Sequence, residues 1–216
     1  MKSAKIARLV STPKAAAFAI PEEEFTPRVR KAILTLTQEI ERLSRESEDT
    51  RARLEDLIRT ADQDMLLPIL NRRAFMREIS RFIAFAERYG TRASLLYFDL
   101  DHFKAVNDAY GHAAGDHVLR HFCALLSDNI RDSDVLARVG GDEFAIILAH
   151  SGLDQAAEKG AALMGYLREQ PPFWNGKEVN LRFSCGAHEL RAGQTADCAM
   201  AEADRAMYAQ KRAAAE

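Results

Sequence analysis

Between Arg28 and Ala61 apolar residues recur at alternating steps of four and three: Val29, Ile33, Leu36, Ile40 and Leu43, then Leu54, Leu57 and Ala61. Ser47 and Thr50 hold the two middle steps. No proline or glycine interrupts the run. A 3.5-residue period sustained over nearly five heptads is the pattern of a coiled coil, whose seam faces a partner helix. Such a helix would reach ~50 Å at a rise of about 1.5 Å per residue, farther than a small domain can cover by itself. The pattern predicts a coiled-coil dimerisation helix over 26–62, making the protein a homodimer. Residues 1–25 are small and basic, then acidic at Glu22 to Glu24, with Pro13 and Pro21 as breakers. They are expected to form a flexible N-terminal tail, open to a protein partner.

From residue 63 the periods alternate between those of helix and strand. Asn71 is placed to cap a helix running to Arg88 and closed by Gly90. Ala93 to Leu100 is strand-like. Ala113 to Ile130 is helical, with Val118, Leu119, Phe122, Leu125 and Leu126 on one side. Two β-rich runs, Val135 to Val139 and Phe144 to Leu148, flank Gly140-Gly141-Asp142-Glu143 and predict a hairpin. A helix over Gln155 to Arg168, a strand near Val179 to Ala187 and a helix over Asp197 to Arg212 complete an α+β domain spanning 63–216.

Composition narrows the class. The 216 residues leave room for one ordinary domain and an extension, and 47% hydrophobic with 29% charged residues suits a soluble fold. A net charge of -2 gives no general attraction to nucleic acid or an anionic membrane, so any polyanionic ligand must be held locally. Ala15 to Ile20 is too short for a signal-peptide core, and no apolar run approaches the ~18 residues of a membrane span. A cytoplasmic protein is expected. Cys123, Cys185 and Cys198 are scattered and outside CxxC spacing, as small hydrophobes in a reducing compartment would be.

Three clusters carry chemistry: Asp99-Leu100-Asp101-His102-Phe103-Lys104; Asn107 with Tyr110-Gly111-His112 and Gly115-Asp116; and Arg138-Val139-Gly140-Gly141-Asp142-Glu143-Phe144. In the plain structural reading Asp101 caps the short helix that follows and the paired glycines supply positive φ angles for a turn. That reading leaves two acids after the glycines, and a carboxylate ending an apolar strand, without a purpose. Asp99, Asp142 and Glu143 can instead converge on a hard divalent cation. Mg²⁺ is favoured, with Mn²⁺ as its substitute, because Mg²⁺ pairs one or two carboxylates with substrate phosphates. Lys104 would set a positive charge on those phosphates.

The segment RVGGDEF (138–144) resembles the signature of the GGDEF diguanylate cyclases. The resemblance extends over about residues 62–212 through NRRAF (71–75), FDLDHFKAVNDAYGHAAGD (98–116), FSCGA (183–187) and ADRAMYAQK (203–211). It implies a palm-like antiparallel sheet, related to adenylyl cyclases and polymerase palms, with helices on one or both faces. It implies two GTP condensed into cyclic di-GMP with release of pyrophosphate. Asp99, Asp142 and the carbonyl of Leu100 are then metal ligands, and Glu143 a further ligand or the group that assists deprotonation of the 3′-hydroxyl. Asn107 and Asp116 read the guanine edge, with His112 and Phe103 in the nucleotide pocket. Gly140 and Gly141 let backbone approach the triphosphate, and Lys104 and Lys211 bind phosphate. Arg131-Asp132-Ser133-Asp134 has the RxxD form, at the family's spacing, of a site where cyclic di-GMP inhibits, with Arg131 and Asp134 as its contacts.

Two departures qualify the match. Leu67-Pro68 stands where the family usually has Thr-Gly, and Ala214-Ala215-Glu216 where it commonly has Gly-Arg-Asn, so a phosphate-binding arginine is missing at Ala215. Competing with an active enzyme are a weak cyclase serving as a GTP or cyclic di-GMP receptor and a scaffold with a vestigial domain. The intact acidic hairpin, Asp99, Asn107 and Asp116 speak for the enzyme.

Overall fold

The computed structural model describes residues 26–213, excepting the side chains at 52 and 55–60. The expected tail over 1–25, the departure at Ala214 to Glu216 and the seam side chain of Leu57 lie outside the described residues. The chain divides into two units, 1–58 and 59–216.

Helix α1 (Pro27–Asp62, 36 residues) makes up the described part of the first unit. Thr26 starts it: its Oγ1 accepts from the Val29 amide at 3.3 Å, and Pro27 takes the first helical position, where no amide is needed. Arg42 forks between Glu39 at 2.8 Å and Glu46 at 2.9 Å, an exposed triplet along one face. The apolar seam lies open, with Leu36 62%, Ile40 63% and Leu43 51% exposed.

The second unit begins with the last turn of α1, which the domain holds by side chains. Asn71 donates to the carbonyls of Ala61 (2.8 Å) and Gln63 (3.1 Å), and Asp62 pairs with Arg73 and Arg77. Then follow β1 (Leu70–Asn71), α2 (Arg72–Tyr89), β2 (Ala93–Asp101), α3 (Phe103–Tyr110) and α4 (His112–Asp128). β3 (Val135–Arg138), β4 (Glu143–Ala149), α5 (Leu153–Glu169), β5 (Phe173–Trp174), β6 (Lys177–Glu178), β7 (Arg182–Glu189) and α6 (Ala196–Ala213) complete it. Asn71 caps α2 by accepting from the Ala74 amide, and Gly90 closes it in the left-handed region, as the sequence predicts.

The five-stranded sheet has the order β1-β3-β4-β2-β7. It is antiparallel, as expected, except at one edge, where the two-residue β1 runs parallel to β3. β1 leads directly into α2 rather than a hairpin, so its pairing with β3 is a crossover connection and can be parallel. The strand expected from Val179 starts at Arg182. Ahead of it a small hairpin, β5–β6, turns at Asn175-Gly176, both at positive φ.

Helices cover both faces of the sheet. Along the interior strand β2, Leu96, Phe98 and Leu100 pack with Val118, Leu119 and Phe122 of α4 and Leu163 and Leu167 of α5. Leu95 and Tyr97 pack with Phe75 and Ile79 of α2 and Met200, Ala203 and Met207 of α6. A strand buried on both faces reads as a continuous apolar run, which is why β2 shows no alternation before its acidic end. Four phenylalanines, 98, 122, 144 and 183, meet edge to face or tilted at 5.1–6.1 Å between centroids. On the opposite face α6 lies against β7 so closely that a Cβ on Gly186 would come within 2.2 Å of the Ala203 carbonyl oxygen and the Met207 amide.

Candidate active site

Strand alternation decides which groups meet at the end of β2. Asp99 and Asp101 continue the face of Leu95 and Tyr97, beneath α2 and α6. Glu143, the first residue of β4, stands directly opposite Asp99 in the antiparallel ladder. Like charges in a directly opposed pair repel. α6 brings the compensation: Lys211 Nζ lies 2.8 Å from Asp99 Oδ1 and 3.5 Å from Asp101 Oδ1. Gly186 sets this reach, because Met207, one helical turn before Lys211, rests on it. Partial burial disfavours the Lys211 charge, but the Asp99 carboxylate, with Asp101 behind it, prevails and holds the ammonium above the ordinary lysine pKa. Burial, then the neighbouring Glu143 charge, pushes the Tyr97 phenol above its usual range.

Asp101 is not a helix cap. Its Oδ1 accepts from Ser184 Oγ at 2.9 Å, and the capping position of α3 falls to His102, in the left-handed region at φ 58° with no capping bond from its side chain. The paired glycines of the hairpin also depart from the turn reading, since neither is at positive φ. Gly140 instead makes room, as a Cβ there would stand 1.9 Å from Glu143 Oε2. The Glu143 carbonyl accepts from the Val139 amide at 2.9 Å and the Gly140 amide at 3.3 Å, and the Leu100 amide donates to the Asp142 carbonyl at 3.2 Å.

On the far side of the sheet end, α3 and α4 place the other cluster. Asn107 and Phe103 of α3 point at Gly115 of α4, where a Cβ would stand 2.0 Å from Asn107 Oδ1 and 3.1 Å from Phe103 Cζ. Asp116 follows, half-exposed, 3.8 Å from Arg120. His112 opens α4 in an exposed position. Lys104 is exposed and makes no ion pair among the described residues.

The structure thus joins Asp99, Glu143 and Lys211, and separately Phe103, Asn107 and Asp116. It does not gather Asp142 with the other two acids: among the described residues no three metal-ligating side chains converge. Asp142 lies in the turn outside β4, its backbone engaged by Leu100. Two opposed carboxylates and the neighbouring Leu100 backbone still form an all-oxygen donor set. That suits a cation held by one or two carboxylates and a substrate's phosphates, not a complete protein cage.

In the RxxD segment Asp134 serves the fold. Its Oδ2 accepts from the Arg131 amide (3.0 Å) and its Oδ1 from the Ala149 amide (3.0 Å), while the Arg131 side chain is exposed. Two positioning roles escaped the sequence reading. Arg138 donates to the Gly141 carbonyl at 2.6 Å and to Asp64 Oδ1 at 3.2 Å, tying the hairpin to the turn before β1. Asp64 Oδ1 also accepts from the amides of Leu66 and Leu67. An aspartate opening a turn just ahead of a proline was the available signal for Asp64; nothing in the sequence paired it with Arg138.

Residues 61–216 match the family described as "Diguanylate cyclase, GGDEF domain". The chain belongs to the GGDEF family. Among solved structures it is similar to the coiled coil and GGDEF domain of DgcB from Caulobacter crescentus in complex with c-di-GMP. The TM-score is 0.74 at 30% identity, over 83% of this chain and 95% of that one. It is also similar to diguanylate cyclase SiaD of Pseudomonas aeruginosa, in complex with its activator SiaC. There the TM-score is 0.68 at 25% identity, over 98% of this chain and 85% of that one. Diguanylate cyclase DosC of Escherichia coli is 35% identical over 150 residues, 69% of this chain and 33% of DosC. Like DosC, the probable diguanylate cyclase DgcE, 34% identical, is much longer, and this chain covers 15% of it. The GGDEF chain therefore spans less than half the length of these curated relatives. Among its described residues no helix is long and apolar enough to cross a membrane.

Proposed function

We propose that this protein is an active diguanylate cyclase joining two GTP into cyclic di-GMP with release of two pyrophosphates. The observation that carries the reading is the opposed pair Asp99–Glu143, with Lys211 on Asp99, at the strand ends beside Asn107 and Asp116. A sheet gains nothing from like charges in register. Their placement makes sense for a ligand that arrives with its own cation and phosphates.

Asp116 accepts from guanine N1–H and N2–H, and Asn107 completes the edge; adenine offers no such donor pair. Phe103 and His112 bound this pocket. Asp99, Glu143 and the Leu100 carbonyl, with Asp142 adjoining, would hold Mg²⁺ or Mn²⁺, whose charge stabilises the oxyanions of phosphoryl transfer. Lys104 and Lys211 orient the triphosphate, and the hairpin backbone at Gly140 and Gly141 approaches it. The 3′-oxygen of one GTP attacks the α-phosphorus of the other. The bond to the β-phosphate breaks, pyrophosphate leaves, and Glu143 helps to remove the hydroxyl proton. The same step in the opposite sense closes the ring.

Each domain supplies one GTP, so two must face each other. The open seam of α1 at Leu36, Ile40 and Leu43 pairs with that of a second copy, and such a tether raises the domains' effective concentration toward the mM range. Arg131, with Asp134 behind it, takes the product's guanine edge at an inhibitory site. A protein partner acts at the N-terminal side, and the protein works in the cytoplasm. Incubating the purified chain with GTP and Mg²⁺ tests the central reading: cyclic di-GMP is expected, and GTP bound without product would make the domain a receptor.

A further inference from the structure

A second recess lies across α3 from the guanine-reading residues. α3 turns Phe103 and Asn107 toward Gly115, while His102, Val106 and Tyr110 line a cavity of about 700 Å³ on its other side. Its walls hold Arg168 from the end of α5, Arg182 from the start of β7, and Lys211. Arg168 and Arg182 are exposed, and neither side chain makes an ion pair or hydrogen bond among the described residues, although Arg182 stands directly opposite Asp101 in the β2–β7 ladder. The one carboxylate in the wall, Asp101, is already engaged by Ser184 and Lys211. Positive charge is thus concentrated and largely uncompensated here, in a chain whose net charge is -2. The volume falls within the ~300–1,000 Å³ of small-molecule sites.

We infer that this cavity binds a diphosphate group, either free or carried by a nucleoside. Two guanidinium forks suit two adjacent phosphoryl groups, because each fork matches a pair of non-bridging oxygens. An apolar wall of Val106, Val179 and Phe183 beside Tyr110 can take the body of a nucleoside if one is attached. Lys211 belongs to both sites, as it lines the cavity and pairs with Asp99. A diphosphate held here therefore draws on the ammonium that neutralises the catalytic carboxylate. In that respect the inference rests on the proposed function, whose leaving group is free diphosphate.

Calorimetry on the full chain in EDTA, with inorganic pyrophosphate and separately with ADP, tests the site; ADP is chosen because the guanine-reading residues do not accept adenine. Saturable binding of pyrophosphate is expected. It should weaken by about tenfold or more in the double variant Arg168→Gln, Arg182→Gln, as loss of two charge-assisted contacts requires. Arg191→Gln, an exposed arginine outside the cavity, should leave it unchanged. Tighter binding of ADP than of pyrophosphate would assign a nucleoside to the Tyr110 side; equal or weaker binding would assign free pyrophosphate. Absence of saturation up to on the order of 10 mM, or equal affinity in the double variant, would overturn the inference. The initial rate of GTP cyclisation by the double variant should match the parent. A parent that makes no product would sink the cyclase reading and leave the binding result standing.

Discussion

Replacing Gly115 with alanine should separate nucleotide affinity from stability. The new Cβ would stand 2.0 Å from Asn107 Oδ1 and 3.1 Å from Phe103 Cζ. The nearer obstacle is the end of a side chain, which can swing away at modest cost. Moving it and easing Phe103 costs ~1–3 kcal/mol, the usual range for overpacking. Alanine regains ~1 kcal/mol over glycine inside a helix. The net loss of stability should be no more than ~2 kcal/mol, and the domain stays folded. Affinity should suffer more. A displaced Asn107 leaves a polar edge of the bound guanine unpaired, worth ~1–3 kcal/mol. With ~1.4 kcal/mol per tenfold, GTP should bind roughly 5- to 150-fold more weakly. Equilibrium GTP binding and thermal unfolding on the same samples measure the two effects. Asn107→Ala should reproduce the affinity loss, and the double variant should be no worse than Asn107→Ala, since the added methyl then displaces nothing. Parental GTP affinity in Gly115→Ala, or losses that add in full, would refute the reasoning.

Glu143→Gln removes one of two opposed charges, so it should raise unfolding stability by ~0.2–1 kcal/mol. It should also cut cyclisation by ~10²-fold or more; chemical denaturation and a product assay check both, and normal turnover would overturn the role of Glu143. Arg131→Ala should keep the initial rate and lift the plateau of progress curves run to high product; identical plateaus would remove the inhibitory site. Leu36→Asp with Leu43→Asp should shift sedimentation to monomer and make specific activity fall with dilution; full activity at nanomolar protein would detach α1 from catalysis. Burial pushes the Cys185 thiol up to about 12 from 9.0 in the unfolded chain. The unfolded state therefore loses that proton first, and stability falls as pH rises above 9.0, until the native thiol also ionises near 12. Cys185→Ala should flatten that alkaline slope in denaturation curves taken across the range.

Much of the fold was legible because local and global signals agree. Asn71 and Gly90 bracket α2, and the stripe from Val118 to Leu126 marks the buried face of α4. β2 announced itself as an apolar run, and its acidic end drew attention to Asp99. Asn175-Gly176 was equally readable as a hairpin turn, and reading one long strand from Val179 passed over it. The site was legible as a residue list but not as an arrangement. That Asp99 opposes Glu143 is a matter of register, which the sequence does not spell out. That Lys211 reaches Asp99 depends on contact between groups 112 positions apart. The plain roles given to Asp101 and Gly140 were wrong because both residues answer to tertiary partners, Ser184 and Glu143, and not to the local turn.

These long-range contacts explain why so little side-chain bonding holds the acidic edge. β2 and β4 are fixed by burial on both faces up to Phe98 and Phe144; beyond that point Leu100 still packs on one face, and the other carries the charges of Asp99, Asp101 and Glu143. The hairpin is secured from outside by Arg138 on Asp64 and Gly141, which leaves the Glu143 carboxylate free of any ion pair among the described residues. Among the described residues the Asp99 side chain is secured only by Lys211, a half-exposed lysine on the last turns of α6, whose reach depends on the closeness of helix and strand at Gly186. A side chain on Gly186 would meet backbone atoms, which cannot swing aside as the Asn107 carboxamide can. Gly186→Ala must therefore push α6 outward and carry Lys211 away from Asp99, restoring the repulsion that the lysine offsets. In the proposed site the two glycines thus govern different halves, Gly115 the half assigned to the base and Gly186 the charged half, and each does so through a residue distant in sequence.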